Sequence, residues 1–523
     1  MRKIPSTMST QHPDNVILPL WAGEDIIEGE DEVHEVHFAF NELNCEEQMW
    51  DWEGKDVDPN FMRKLFVNYP DFFEEHIIGQ DFFITYRVPN PSIEGVEKKG
   101  LIEALESIPR CYDLAKSFYK RNVHPPISEV ILPLTTNYLE LIRVRSYYAK
   151  MIVGKEKSQV SDVEDLPVES WVGGFHPKHI EIIPLIEDLD SLCKIDTILT
   201  KYIQISKPNY LRVFLARSDP ALNYGLIPAV LLAKIALSKM QKISDRFGVK
   251  LYPIIGTGSS PFRGHLTPEN IGNFLQEYIG VRTVTVQSAL KYDYDISSVQ
   301  QTIAILNKEL KKSDPKVMTM NEEDLIKEII TIFKNNYQQK IEKLASIINS
   351  IARFVPRRRA RKLHIGLFGY SRQIGKTQLP RAISFTAAMY SLGMPPELVS
   401  AGVLAELSEP QWKLLDEYYV NWRRDLSSAS DFVNWQNLNY LLGEKEIVQK
   451  ITDRFKLGEV IPKIMEDLEI LEETVDFRLG PKTLNNRKHA NITNNILLSM
   501  AENDKDEINN HIIEAARIRH SLG

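Results

Sequence analysis

Two acidic residues stand directly behind apolar, β-rich runs: Glu187 in HIEIIPLIEDLDSL and Asp219 in LRVFLARSDPALNYG. Carboxylates delivered by neighbouring strand ends suit a hard divalent cation, Mg²⁺ or Mn²⁺, which prefers oxygen ligands and fills its shell with water and substrate oxygens. Either residue taken alone could instead cap the helix that follows it. Cations and glycines occupy comparable positions. Arg87 closes ITYRVPNP, IIGTGSSPFRGH carries Gly256, Gly258, Arg263 and Gly264, and LHIGLFGYSRQIGKTQLPRA carries Arg372, Lys376 and Arg381. Glycines let the backbone turn tightly and approach a ligand, backbone amides beside Arg263 could form an anion nest, and the arginine fork matches phosphate and carboxylate oxygens. The glycine loop lacks the GK[ST] ending of a P-loop. His12 lies in TQHPDN. A histidine so near a terminus is more often exposed and idle, although the proline after it fixes the local backbone. No role is assigned to His176 or His265.

Candidate strands fall at Val36–Phe40, Phe82–Val88, Glu129–Leu134, Ile180–Ile186, Leu211–Ala216, Lys250–Ile255, Thr283–Gln287 and Leu363–Phe368, separated by stretches of helical periodicity. Strands alternating with helices in this number predict an α/β fold, a (β/α)8 TIM-like barrel, and barrel enzymes carry their chemistry at the C-terminal ends of the strands. The expected organisation is a single large decorated barrel domain over 1–523, with barrel strands within 36–372. A helical insertion is expected over about 297–355 and a helical C-terminal portion over about 395–523. Within the insertion Ile341, Leu344, Ile347, Ile348 and Ile351 recur at helical spacing, which predicts a packing surface. The basic run Arg357–Lys362 is read as solvated or anion-facing.

The 523 residues are 43% hydrophobic, enough for a large core, and carry a formal charge of −8. That balance argues against nucleic acid or an acidic membrane as partner and requires an anion site to concentrate its cations locally. Cys45, Cys111 and Cys193 make no CxxC pair, which fits a reducing cytoplasm and excludes a cysteine zinc site. No signal-peptide core or membrane-length apolar run is present, so a cytoplasmic location is expected.

Together these segments resemble the phosphoenolpyruvate carboxylase family, in particular its shorter archaeal type. TQHPDN is similar to the family's catalytic TAHPTE motif, IPLIEDLDSL to PLFETLDDL, and ARSDPALNYG to YSDSxKDAG. The glycine loop resembles HGRGGSxGRGG with Arg263 at its second arginine. YSRQIGKTQLPRA resembles GSRPxKR…LRA, ITYR resembles DIRQ, and the final RHSLG resembles RNTG. Three positions depart: Ile255 and Thr257 replace the histidine and first arginine of the glycine loop, and Leu222 replaces the lysine of SDSxKD.

The resemblance implies carboxylation of phosphoenolpyruvate with bicarbonate to oxaloacetate and phosphate, through carboxyphosphate and the pyruvate enolate. It implies Mg²⁺ or Mn²⁺ on Glu187 and Asp219, with His12, Arg263 and Arg372 catalytic. Arg87, Gly256, Gly258, Gly264, Lys376 and Arg381 are expected to bind substrate. A homotetramer built as a dimer of dimers and allosteric control are further expectations of the family. Two rivals share part of the pattern. A lyase or mutase of phosphoenolpyruvate chemistry would share the two carboxylates, and a non-catalytic helical scaffold would not bring the named residues together.

Overall fold

A computed structural model describes residues 3–523 apart from 312, 363, 366–372, 375–376 and 444–445. Eight parallel strands close a barrel in chain order: β1 (Thr7–Ser9), β2 (Glu47–Asp51), β3 (Phe83–Arg87), β4 (Glu129–Leu132), β5 (Glu181–Ile186), β6 (Tyr210–Leu215), β7 (Lys250–Ile255) and β8 (Thr283–Val286). The barrel closes where Thr7, Met8 and Ser9 pair with Val284, Thr285 and Val286.

The strands from β3 to β8 fall where the sequence puts them, and the first and last expected strands require correction. Val36–Phe40 lies inside a helix, Glu30–Asn41, because Val33, Val36 and Phe40 recur at helical spacing and are buried on one face with Ala39. The expected strand 363–368 lies mostly outside the described residues, and β1 and β8 close the barrel without it. The strands actually used, Thr7–Ser9 and Glu47–Asp51, carry little apolar signal.

Period-two alternation explains how so polar a strand as β2 can be fully buried. Glu47 points into the barrel floor, where Arg212 of β6 bonds it at 2.7 Å and also bonds Glu129 of β4 at 2.9 Å and Thr283 of β8 at 3.1 Å. Two residues further along each strand, Met8, Met49, Ile131, Ile183, Phe214 and Ile254 meet in an apolar layer. A further step of two reaches the mouth, with Asp51, Ala216, Gly256 and Gln287, and Glu187 stands just past the end of β5. The apolar layer separates a closed ionic floor from the open end, as the layered interior of such barrels requires.

Helices occupy Ile296–Glu309 and Met320–Ala352, and after Arg381 the described chain is helical or connecting. The helix Met320–Ala352 begins with a capping box between Thr319 and Glu322. Its stripe Ile341, Leu344, Ile347, Ile348 and Ile351 is wholly buried. Each such side chain contributes roughly 1.5–3 kcal/mol by leaving water. The same helix supports the open end, where Tyr337 Oη donates to Leu222 O at 3.0 Å and Gln338 Nε2 donates to Asn223 O at 3.1 Å. The basic run is not solvated throughout. Arg358 donates to Val16 O at 2.8 Å, and buried Arg359 pairs with Glu35, so this segment clamps the N-terminal stretch onto the body. Among the described residues no helix is long and apolar enough to cross a membrane.

Candidate active site

The strand ends enclose a cavity of about 360 Å³ lined by His12, Arg87, Glu187, Asp219, Gly256, Arg263 and Arg381, each singled out in the sequence. Leu185, Phe214, Pro133, Leu134 and Ile383 supply apolar wall. Arg372 and Lys376 lie outside the described residues. The convergence removes the helical-scaffold reading, which required these side chains to be dispersed.

His12 reaches the cavity because the chain leaving β1 stays pinned to β8: Thr10 N–H donates to Val286 O at 3.0 Å and Ser288 N–H to His12 O at 3.3 Å. Its Nδ1 shares a 2.9 Å hydrogen bond with Thr10 Oγ1, and Nε2 has no partner among the described residues. Burial and the nearby charges of Arg87, Lys55, Arg263 and Arg381 hold the imidazole well below its ordinary value of 6.5. His12 is therefore neutral and able to accept a proton at neutral pH.

Arg87, the last residue of β3, is fixed by its neighbour strand. Its Nε and Nη2 donate to the two oxygens of Asp51 at 2.7 and 2.6 Å, and Nη2 lies 3.2 Å from Glu53. Asp51 also pairs with buried Lys55, whose ammonium is held well below the usual lysine value by burial and by surrounding arginines. A bidentate carboxylate leaves the guanidinium a single orientation.

Arg263 is 1% exposed and more constrained still. Nε donates to Ser218 Oγ at 3.1 Å, Nη1 to Asp14 Oδ2 at 3.0 Å and to Gly523 O, and Nη2 to Gln287 Oε1. The TQHPDN segment thus supplies both His12 and, through Asp14, the anchor of Arg263. Of the loop glycines, Gly256 alone borders the cavity, where a Cβ would come within 2.9 Å of the Phe214 ring. A Cβ on Gly258 would sit 2.9 Å from the Arg263 guanidinium, and Gly264 adopts φ +126° against Thr257. These two glycines shape the seat of Arg263 and do not line the cavity. Thr257 and Leu222, where the resembled motifs carry cations, are buried and do not line it either.

The capping alternative for the acids divides cleanly. Asp188, not Glu187, caps Leu189–Cys193, accepting from Ser191 N–H at 2.9 Å. Asp219 sits in the first turn of Ser218–Tyr224, whose cap position is Arg217. Among the described residues no cluster of three or more histidine, cysteine or acidic side chains could hold a metal by itself. Two carboxylates on one cavity wall fit a hard cation that takes its remaining ligands from water and substrate.

Asp51, Glu53, Lys55, Asp14, Gln287 and Arg217 belong to the site but carried no recognised signal. Asp14 lay within TQHPDN and Arg217 two residues before Asp219, so extending each motif by its neighbours finds both. Asp51 required knowing that EQMWD is a strand.

Comparison with known proteins matches residues 4–523 to the phosphoenolpyruvate carboxylase family. The chain belongs to that family. A phosphoenolpyruvate carboxylase of Metallosphaera sedula is 46% identical over 523 residues, covering 100% of both chains. That of Caldivirga maquilingensis is 43% identical with the same coverage, and that of Picrophilus torridus 42% identical over 99% of both. Arg263 ties Asp14, two residues after His12, to Gly523.

Proposed function

We propose that the chain carboxylates phosphoenolpyruvate with bicarbonate, giving oxaloacetate and phosphate. The observation that carries this reading is the single cavity in which His12, Arg87, Arg263 and Arg381 face Glu187 and Asp219. It offers several cations, a neutral base and, among its acids, the two at neighbouring strand ends, which suits a small polyanion undergoing phosphoryl transfer and proton removal. A lyase or mutase reading leaves His12 and its elaborate anchoring without a task.

Glu187 and Asp219 would hold Mg²⁺ or Mn²⁺, which supplies positive charge beside the substrate oxygens and stabilises the charge of the enolate. Arg87 and Arg381 would bind the anionic oxygens of phosphoenolpyruvate. Fixed before substrate arrives, Arg87 needs no reorganisation as charge shifts during transfer. A bicarbonate oxygen attacks phosphorus, the P–O bond to the enol oxygen breaks, and carboxyphosphate and pyruvate enolate form. His12 takes the carboxyl proton of carboxyphosphate. The C–O bond then cleaves, leaving phosphate and CO₂, and the enolate carbon forms the new C–C bond. Arg263, locked by four partners, would retain the carboxyphosphate and CO₂ near the enolate, while Leu185, Phe214 and Ile383 limit water.

A coupled assay for oxaloacetate tests the reading. Product should require phosphoenolpyruvate, bicarbonate and a divalent cation together. Pyruvate and phosphate formed at an undiminished rate without bicarbonate would defeat it.

A further inference from the structure

Arg217 stands at the mouth of β6, immediately before Ser218 and Asp219, and borders the cavity. It is 1% exposed. Its Nε–H donates to Tyr278 Oη at 2.8 Å, and neither terminal nitrogen has a hydrogen-bond partner among the described residues. Burial pushes the Tyr278 phenol up to about 12, so Tyr278 is a neutral acceptor and not a counter-ion. Asp425 does not pair with Arg217; it is engaged by Tyr419 Oη and His265 Nδ1, each at 2.6 Å.

Three other arginines of the barrel interior differ in this respect. Arg87 has Asp51 and Glu53, Arg263 has Asp14, and Arg212 has Glu47 and Glu129. A guanidinium cannot relieve burial by losing its proton, so a buried one needs acceptors, and an unpaired buried charge weighs against the folded state. Such a group is retained where something else supplies the negative oxygens. Tyr278 fixes the guanidinium plane through Nε and leaves the terminal N–H groups for that purpose.

We infer that Arg217 is a further substrate-binding residue, a buried guanidinium whose terminal N–H groups take a carboxylate or phosphoryl oxygen of the anion held at the barrel mouth. This rests on the carboxylation reading for the identity of the anion, but not for its charge or location.

The test compares Arg217→Met and Tyr278→Phe with the wild type. Three quantities are read: thermal unfolding without ligand, its shift on adding phosphoenolpyruvate with Mg²⁺, and KM for phosphoenolpyruvate and for bicarbonate separately. Arg217→Met should unfold at the wild-type temperature or higher, because an apolar side chain replaces a buried charge that has no counter-ion among the described residues. Its KM for phosphoenolpyruvate should rise tenfold or more, with a matching loss of the ligand-induced shift. Tyr278→Phe should raise KM severalfold with kcat retained. Pyruvate and inorganic phosphate, used as ligands in the same shift experiment, identify the end of the substrate that Arg217 holds. Protection by pyruvate lost in Arg217→Met marks the carboxylate, and protection by phosphate lost marks the phosphoryl group.

Unchanged KM and ligand-induced shift in Arg217→Met overturn the assignment. So does a marked loss of ligand-free stability or a failure to fold, since either shows that the charge was already satisfied within the protein. A wild type that binds phosphoenolpyruvate but makes no oxaloacetate would defeat the carboxylation reading and leave the Arg217 assignment to stand on these shifts.

Discussion

Replacing Asp51 with asparagine should damage both the fold and the site, and the structure gives the size of the effect. The carboxylate is fully buried and holds two cations at once, Arg87 through two bonds of 2.7 and 2.6 Å and Lys55 through an ion pair. Asparagine keeps the shape but removes the charge and turns an amide N–H₂ towards a guanidinium or an ammonium. Arg87 then retains only Glu53, 3.2 Å away, among the described carboxylates. Removing one partner of a buried ion pair costs about 3–5 kcal/mol. Released from its bidentate seat, Arg87 also loses its orientation, and a misplacement of about 1 Å at a reacting centre lowers the rate on the order of 100-fold. Denaturant unfolding and steady-state kinetics with phosphoenolpyruvate measure the two effects on one preparation. A stability loss below about 1 kcal/mol, together with kcat/KM near wild type, would refute the reasoning, because it would mean that Arg87 is held by something other than Asp51.

The glycine loop, the histidine and the acids each give a separate expectation. Gly258→Ala places a Cβ where the Arg263 guanidinium lies and should lower kcat/KM at least tenfold, whereas Gly272→Ala, with nothing within 4 Å, should leave kinetics unchanged; equal activities would remove the packing argument. His12, held below 6.5, stays neutral in the folded protein while the unfolded chain takes up a proton, so its contribution to stability is present above about pH 6.5 and is lost as pH falls from there towards the folded value. Its imidazole resonances, assigned by their loss in His12→Asn, should titrate below 6.5 in the free protein, and a midpoint at or above that value contradicts the electrostatic account. Glu187→Ala and Asp219→Ala should each raise the Mg²⁺ concentration for half-maximal activity tenfold or more, and an unchanged requirement in both rules out their role as ligands.

Most of the barrel was legible because its strands from β3 onward are short apolar runs such as EIIPLI and YLRVFL, bounded by turns and helices. Glu47–Asp51 was not, because two of its three inward residues are Glu47 and Asp51, whose burial depends on partners 165 and 36 positions away, Arg212 and Arg87. Thr7–Ser9 is too short to show alternation, and it becomes a strand by pairing with β8 and β2. Val36–Phe40 carries β-favouring residues that also satisfy the helical period once Val33 is counted. Site residues at strand ends were found by position. Those acting through another side chain, Asp51 on Arg87 and Asp14 on Arg263, depend on contacts that no local spacing encodes.

The central claim is that one cavity both generates and captures CO₂, with His12 as the base that links the two halves. Parallel measurement of phosphate and oxaloacetate release in the wild type and in His12→Asn tests it most directly. The wild type should release both at equal rates, and only with bicarbonate. His12→Asn should still bind phosphoenolpyruvate and release phosphate in a bicarbonate-dependent manner while oxaloacetate falls to background. Oxaloacetate formed by His12→Asn at the wild-type rate would contradict the account.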